Sequence, residues 1–154
     1  MKLSKNFSLN EFTKSQTALR LGIDNNPTLQ QLNSMKTLCR NVIQPVRDHF
    51  GITTVNSGFR CIPLNTRIGG SKTSQHCLGE AGDIEVPGVA NYIVAKWIED
   101  NLDYDQLILE FYTTGIPDSG WVHVSYRCPE GNRNRSMTAA REHGKTIYRL
   151  GLLK

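Results

Sequence analysis

The sequence predicts an α+β fold in which a small antiparallel sheet packs against N-terminal and inserted helices. Apolar residues recur at helical spacing through the first third of the chain, up to Phe50. Short β-branched or alternating segments follow, and one helical segment lies between them. The chain has 154 residues, of which 38% are hydrophobic, which is enough for one core. We therefore expect a single domain over 1–154.

Three helical segments are predicted. A short helix begins near Leu9, inside a capping-box pattern. A longer helix spans 26–51, from an Asn-Pro start to a glycine stop. Pro45 lies inside this helix and is predicted to kink or divide it. The segment 89–101 has apolar residues at helical spacing and predicts the inserted helix.

Four segments are predicted to form strands. The β-branched segment 52–60 predicts a strand that runs into a turn, and 83–86 predicts a short strand closed by Pro-Gly. The segment 62–73 contains Pro, Asn and paired Gly, and it predicts a loop. Alternating residues at 106–111 and 121–126 predict two strands joined by a turn-rich segment.

The charge balance slightly favours an anionic partner. Eighteen Lys+Arg against 14 Asp+Glu give a net charge of +4 and a pI near 9.0. The basic residues are scattered except over 127–141, where no aromatic residue lies among them. This segment predicts a solvated face and not a nucleic-acid surface. The pI is therefore the one sequence feature that favours nucleic-acid binding.

Neither a membrane segment nor a disulfide framework is expected. No apolar segment is long enough to span a bilayer, and MKLSKNFSLNEF lacks the apolar run of a signal peptide. We therefore expect synthesis in the cytoplasm without a signal peptide, and no membrane partner. The four cysteines form no CxxC pair and are predicted to be free thiols: Cys39, Cys61, Cys77 and Cys128.

The stretch SQHCLGEAGDIEV suggests part of a metal site. A zinc ion in a hydrolase takes three protein ligands, commonly His and a carboxylate, and His76 and Asp83 are two candidates. Gly79 and Gly82 permit backbone angles that would let the intervening loop fold back. His123, in the middle of an alternating strand, is the candidate third ligand.

A carboxylate near these residues could act as a general base. Period-two alternation places Glu110 on one face of 106–111 and His123 on one face of 121–126. If the connecting hairpin is centred between residues 116 and 117, the two residues lie opposite each other, with Cβ atoms about 5 Å apart. Glu110 would then be close enough to take a proton from an attacking water.

Each feature also has a simpler explanation. A single histidine such as His76 is more often a turn or surface residue than a ligand, and Glu110 can simply face solvent. His49 and His143 have no partner at a recognisable spacing, and we interpret both as structural. The combination of residues indicates a site more strongly than any one of them.

Three segments together resemble a known family. Residues 74–83 match S-x-H-x-x-G-x-A-x-D, which resembles the signature of zinc D-Ala-D-Ala carboxypeptidase-like metallopeptidases, the LAS-type peptidoglycan peptidases. The W-V-H at 121–123 and the S-G-F-R at 57–60 resemble two further segments of that family, in the same order. The resemblance runs from about residue 7 to about residue 135.

The resemblance implies a ligand set and a substrate-binding residue. Its zinc ligands are His76, Asp83 and His123, so zinc is the implied cofactor. Arg60 is implied to bind the carboxylate or carbonyl of the scissile peptide, and Ser74 to support the ligand loop. A guanidinium suits that role because its planar fork holds a carboxylate with two hydrogen bonds and stays charged.

One position departs from the family pattern. Several relatives have the base three residues before the last His, as E-x-x-H, and this chain has Gly120 there. The base must then come from elsewhere. We predict Glu110, with Asp118 in the connecting loop as the second candidate.

The resemblance implies a zinc-dependent peptidase that cleaves peptidoglycan stem peptides, as a carboxypeptidase or as an endopeptidase. The chain resembles phage lysins, which would act on the cell wall after release, in the host periplasm if phage-encoded; a virion-associated enzyme or a bacterial wall-remodelling enzyme is an equal alternative. We expect a monomer whose partner is a peptidoglycan peptide, with no nucleic acid. The alternative is a non-catalytic, zinc-containing module that binds the cell wall or a protein.

Overall fold

The computed structural model describes residues 1–154 and confirms an α+β fold. The helices are α1 (Leu9–Thr13), α2 (Gln16–Leu21), α3 (Leu29–Leu38), α4 (Gln44–Phe50), α5 (Ile62–Arg67) and α6 (Asn91–Asn101), with a π-helical turn at Cys39–Ile43 and a 3₁₀ helix at Gln75–Leu78. The strands are β1 (Thr54–Ser57), β2 (Ala81–Glu85), β3 (Gln106–Glu110), β4 (Trp121–Ser125), β5 (Arg135–Glu142) and β6 (Lys145–Leu150). They form one six-stranded sheet in the order β1-β2-β4-β3-β5-β6. The sheet is mixed and not wholly antiparallel as predicted, because β5, which was not predicted as a strand, pairs parallel with β3, whereas the other neighbours are antiparallel.

The long helical segment is divided, as the proline predicts. The π-helical turn Cys39–Ile43 separates α3 from α4, and Pro45 lies in the first turn of α4. The predicted start at residue 26 is wrong, because Thr28 and Gln31 form a complete capping box: each side chain accepts a hydrogen bond from the other's backbone N–H, at 3.3 and 2.8 Å. None of the helices has the length and apolar character needed to span a membrane.

Two segments differ from the prediction. The expected loop at 62–73 begins with α5, because Pro63 lies in the first helical turn, where its missing N–H costs no hydrogen bond. The expected solvated face at 127–141 contributes β5 to the sheet. This strand buries Met137 and Ala139, although its sequence lacks the apolar alternation that would reveal a strand.

Alternation along the central strands separates the core from the functional face. Leu107 and Leu109 of β3 and Val122 and Val124 of β4 are fully buried in the core, together with residues of α3, α4 and α6. The intervening residues of the same strands point to the opposite face of the sheet. That face forms the floor of a cleft.

All four cysteines are free thiols, as predicted. Burial raises the pKa of the Cys39 thiol far above its ordinary value, and the charge of Glu11 adds to the effect. Burial also raises the pKa of Cys77, against a smaller opposing effect of Arg60. Both groups are therefore protonated at neutral pH, which does not suit a nucleophile.

Candidate metal centre

Three side chains predicted to be ligands lie together in the structure. His76 comes from the 3₁₀ helix, Asp83 from β2 and His123 from β4. Asp83 and His123 are direct partners across the β2–β4 pair. One nitrogen of each histidine and one carboxylate oxygen all lie within 4.8 Å of one another.

The hydrogen bonds of His76 define which nitrogen faces the cluster. Its Nδ1 lies 2.7 Å from the carbonyl oxygen of Gly58. Because a carbonyl can only accept, Nδ1 holds the proton and Nε2 has a free lone pair. Nε2 lies 3.4 Å from Asp83 Oδ1. A backbone carbonyl that fixes the tautomer of a histidine in this way is the usual second partner of a metal-ligating imidazole.

The loop that holds His76 is fixed at both ends. Ser74 caps the 3₁₀ helix, its hydroxyl accepting from the backbone N–H of His76 at 3.3 Å. Gly79 ends the helix with φ +74°, and a Cβ there would lie 2.4 Å from the carbonyl oxygen of Gln31. Gly82, by contrast, has no left-handed φ; a Cβ there would crowd the core side chain of Ile43 at 3.2 Å. One glycine therefore provides a turn and the other provides space.

Asp83 is ionised at neutral pH. Burial acts to raise the pKa of its carboxyl group, but the neighbouring imidazoles of His123 and His76 act in the opposite direction and prevail. The net pKa lies well below the ordinary value of an aspartate. The carboxylate is thus available as an anionic ligand.

The cluster fits a zinc ion. Asp83 Oδ1 is 2.9 Å from His123 Nδ1 and 3.4 Å from His76 Nε2. Ligand atoms placed tetrahedrally about 2.0–2.2 Å from zinc are roughly 3.3–3.6 Å apart, so small shifts would complete the geometry. Two histidines and one carboxylate form a typical donor set for a zinc site with a fourth position open to solvent or substrate.

The cluster lies in a cleft with a volume of about 550 Å³. Besides the three clustered residues, its walls include Arg60, Ser74, Glu110, Trp121, Arg133 and Tyr148. The volume is within the range of clefts that bind small molecules or short peptides.

Arg60 lies in this cleft with unused hydrogen-bonding capacity. Its Nη2 donates a long hydrogen bond to Ser74 Oγ, at a distance of 3.4 Å, and its buried Nε has no hydrogen-bond partner. The backbone N–H of Arg60 donates to the carbonyl of His76 at 3.2 Å, which fixes the arginine beside the ligand loop. Nη1 makes no hydrogen bond within the protein, so the guanidinium retains a free donor in the cleft that contains the metal cluster.

Glu110 also faces the cleft, but its predicted pairing is wrong. Glu110 lies opposite Trp121, and His123 lies opposite Ile108, a displacement of two residues. The hairpin is centred one residue earlier than expected, between residues 115 and 116, because the connecting segment 111–120 is a long loop with positive φ at several positions and not a tight two-residue turn. A shift of two residues preserves the face, so Glu110 still lies near the cluster.

The electrostatic environment of Glu110 reflects its position. Burial, the largest effect, raises the pKa of its carboxyl group; the charge of His123 lowers it and that of Asp83 raises it. Asp118, the second candidate base, lies at a separate depression beside Glu85 and Pro117. The structure thus brings Glu110 and not Asp118 into the cleft.

Gly120 explains the departure from E-x-x-H. A Cβ at residue 120 would lie 1.8 Å from the carbonyl oxygen of Glu110 and 2.8 Å from the carbonyl carbon of Phe111. No side chain fits this backbone, so a glutamate cannot occupy the position.

Two cleft residues were not predicted from sequence. Arg133 is one of several arginines in the basic segment, and Tyr148 lies in an unpatterned tail. Local spacing does not distinguish Arg133, because its partner is Asp105, a completely buried carboxylate 28 residues earlier in the chain. His49 lies outside the site and stacks on Trp97, with ring centroids 4.5 Å apart.

The family model described as Peptidase M15 matches residues 5–125 of the chain. The matched region includes the metal cluster, Arg60 and Glu110, and it ends before β5 and β6. No curated protein matches the chain.

Proposed function

The chain belongs to the peptidase M15 family, whose members are zinc-dependent peptidases of the type that acts on peptidoglycan, and from this premise we propose that it cleaves the stem peptides of the cell wall. The bond cut is either a terminal D-Ala linkage, as in a D-Ala-D-Ala carboxypeptidase, or an internal bond, as in an endolysin-like endopeptidase. One observation supports the proposal most: a His-Asp-His cluster, a free arginine and a carboxylate lie in one cleft.

His76, Asp83 and His123 are the residues that would hold zinc. Bound zinc supplies a Lewis acid that polarises a peptide carbonyl and acidifies water at neutral pH. The Nδ1–H of His76 remains bonded to Gly58, which keeps the imidazole oriented, and Ser74 keeps its loop in place.

Arg60 and Glu110 have complementary roles at the scissile bond. Arg60 binds the carboxylate or carbonyl of the peptide through its unused donors and orients it. Glu110 takes a proton from the attacking water as the new C–O bond forms. It then gives this proton to the leaving amine nitrogen as the C–N bond breaks, and the carboxylate is regenerated.

The proposal is tested with purified peptidoglycan and zinc-loaded protein. We expect release of peptide fragments whose masses identify the bond cleaved, and no release after treatment with a chelator. Restoration of cleavage by added zinc would assign the loss to the metal. Absence of cleavage by the zinc-loaded protein, on walls of several compositions, would contradict peptidase activity.

A second candidate is a non-catalytic, zinc-containing module that binds cell-wall peptide or a protein. It is favoured by Gly120, since the position used for a base in several relatives has no room for one. Binding of stem peptide without any cleavage by zinc-loaded protein would support this candidate. Glu110 in the cleft favours the enzyme.

We further propose that the protein acts as a monomer on the wall after release, in the host periplasm if it is phage-encoded. A mass measured by light scattering equal to 17.3 kDa would support the monomer. Cleavage of walls in permeabilised but not in intact cells would support action after release.

A further inference from the structure

The C-terminal hairpin adds a second arginine to the cleft. Arg133 lies just before β5 and Tyr148 lies in β6, and both line the cleft that contains the metal cluster. Both residues lie beyond residue 125, where the family match ends. They are therefore features of this chain additional to the matched peptidase region.

The guanidinium of Arg133 is held by a buried carboxylate. Its Nε donates to Asp105 Oδ1 and its Nη2 to Asp105 Oδ2, each at 2.9 Å, and Asp105 is completely buried. The backbone N–H of Arg133 also donates to Oδ1, at 3.1 Å. Next to it, Asn134 has φ +49°, and its backbone N–H donates to the carbonyl of Tyr104 at 2.9 Å. Side chain and backbone are both fixed, so little conformational entropy remains to be lost on binding.

This fixed guanidinium has donors to spare. The fork to Asp105 uses Nε and Nη2, and Nη1 makes no hydrogen bond within the protein. The side chain is 49% exposed, although its partner is buried. Asp105 receives a further hydrogen bond from Gln75 Nε2 at 2.9 Å, so its charge is shared among several donors. Gln75 directly precedes His76, which ties the arginine to the ligand loop.

The charges of the cleft favour an anionic group at this place. The walls of the cleft include two guanidinium groups, Arg60 and Arg133, and two carboxylates, of which Asp83 belongs to the metal cluster and would be bound to the metal. A stem-peptide carboxylate suits this guanidinium because the two form charge-assisted hydrogen bonds.

We propose that Arg133 forms a second anion-binding subsite, which binds a carboxylate of the stem peptide other than the group bound by Arg60. This inference rests on the proposed function and gives the cleft a preference for substrates with two carboxylates. Arg133 would act mainly on substrate affinity, because it lies outside the group of residues assigned to bond cleavage.

Two synthetic stem peptides of equal length test the subsite, one with a second free carboxylate and one with a carboxamide in its place. We expect the zinc-loaded wild type to prefer the carboxylate peptide by about 10–100-fold in kcat/KM, through KM. Arg133→Gln should abolish this preference, because it reduces kcat/KM much more for the carboxylate peptide than for the carboxamide peptide. Arg135→Gln removes an equal charge two residues away, outside the cleft, and should keep the preference.

Affinity measured on the zinc-loaded Glu110→Gln protein separates this inference from the proposed function. If the two peptides differ in Kd there, and Arg133→Gln in the same background removes the difference, the subsite stands even when the wild type cleaves neither peptide. Equal Kd values for both peptides would overturn the subsite, as would an equal loss on both peptides in Arg133→Gln. If Arg133→Gln does not fold, Arg133→Lys is the second variant, because it keeps a cation beside Asp105 but lacks the spare Nη1. An undiminished preference of Arg133→Lys for the carboxylate peptide would also overturn the proposal.

Discussion

Residue 120 shows how a local backbone conformation decides the placement of a catalytic group. The left-handed φ of Gly120 and the 1.8 Å approach of its Cβ position to the Glu110 carbonyl leave no space for a side chain. The proposed base is instead Glu110, on the adjacent strand. Gly120, which replaces the glutamate of E-x-x-H, and Glu110, the proposed base, therefore contact each other within one hairpin.

Gly120→Ala should destabilise the protein by about 1–3 kcal/mol or more, because strain from the positive φ adds to a steric clash. Gly115→Ala is the matched control, since Gly115 also has a positive φ but nothing within 4 Å of its Cβ position. Urea denaturation of the two variants measures the difference. Equal losses of unfolding free energy would show that the clash is relieved at no cost.

Glu110→Gln tests the proposed base. The amide keeps the size of the side chain but cannot accept the proton, so turnover should fall by roughly 10²–10⁴-fold while zinc content and substrate affinity are retained. Asp118→Asn should have a much smaller effect, since Asp118 lies outside the cleft. Turnover at the wild-type level in Glu110→Gln would require a different base.

Arg60→Ala should reduce both affinity and turnover, because the guanidinium is proposed to contact the peptide itself. Steady-state kinetics with a soluble stem peptide would show a raised KM together with a lowered kcat. A change confined to stability, without either kinetic effect, would assign Arg60 a structural role.

The pairing of β3 with β4 shows which part of the site sequence can predict. Alternation placed Glu110 and His123 on the correct faces, because the side-chain period of a strand is fixed. It could not give the register, which depends on the turn around Gly120. The spacing from His76 to Asp83 could be interpreted directly because both residues lie within one short loop–strand unit.

The elements missed from sequence were those whose local pattern is weak. Helix α5 begins at a proline in a segment with loop composition, and β5 is small and polar outside Met137 and Ala139. Arg133 was hidden among other basic residues, because its partner Asp105 is distant in sequence. Long-range pairing of this kind cannot be predicted from local spacing.

Asp105→Asn should lower the free energy of unfolding by about 1–3 kcal/mol at pH 7. The reason is that hydrogen bonds to a charged group, which connect the ligand loop to the segment before β5, are lost. Burial acts to raise the pKa of Asp105, but bonds from Arg133 and Gln75 prevail and lower it. The pKa of Asp105 is thus lower in the folded protein than in the unfolded chain, where it is about 3.9. The stabilisation is present above that pH and is lost as pH falls through the folded pKa.

Denaturation of wild type and Asp105→Asn between pH 3 and pH 7 checks the sign of this linkage. The difference in unfolding free energy should be greatest at neutral pH and should narrow as the solution becomes acidic. A difference that grows with acidification would contradict the assigned direction.

The complete molecule combines a hydrophobic core that includes none of the proposed metal ligands with a cleft that includes all three. The core is built from helices and the inner face of the sheet, and none of the three predicted ligands belongs to it. His76→Ala should therefore lose zinc without unfolding, as measured by metal analysis and circular dichroism. Cys77→Ser is the neighbouring control and should keep the metal; full occupancy in His76→Ala would exclude this histidine as a ligand.

Zinc should also stabilise the whole chain by mass action, because the ligands converge only in the folded state. At free zinc 100-fold above Kd the gain is about 2.7 kcal/mol, and a chelator should reverse it. Thermal denaturation would show a rise in Tm for the wild type and little or none for His76→Ala. An equal rise in both proteins would indicate binding elsewhere.

The family match ends at residue 125, and residues on both sides of it line the cleft. The proposed machinery of bond cleavage lies before it, whereas Arg133 and Tyr148 lie after it, on a terminal hairpin that forms one edge of the sheet. If Arg133 forms the proposed subsite, redesign of the residues that follow the family match would alter substrate preference while the proposed metal ligands and base stay in place. Substrate preference and bond cleavage would then be encoded in different segments of the sequence that meet in one cleft.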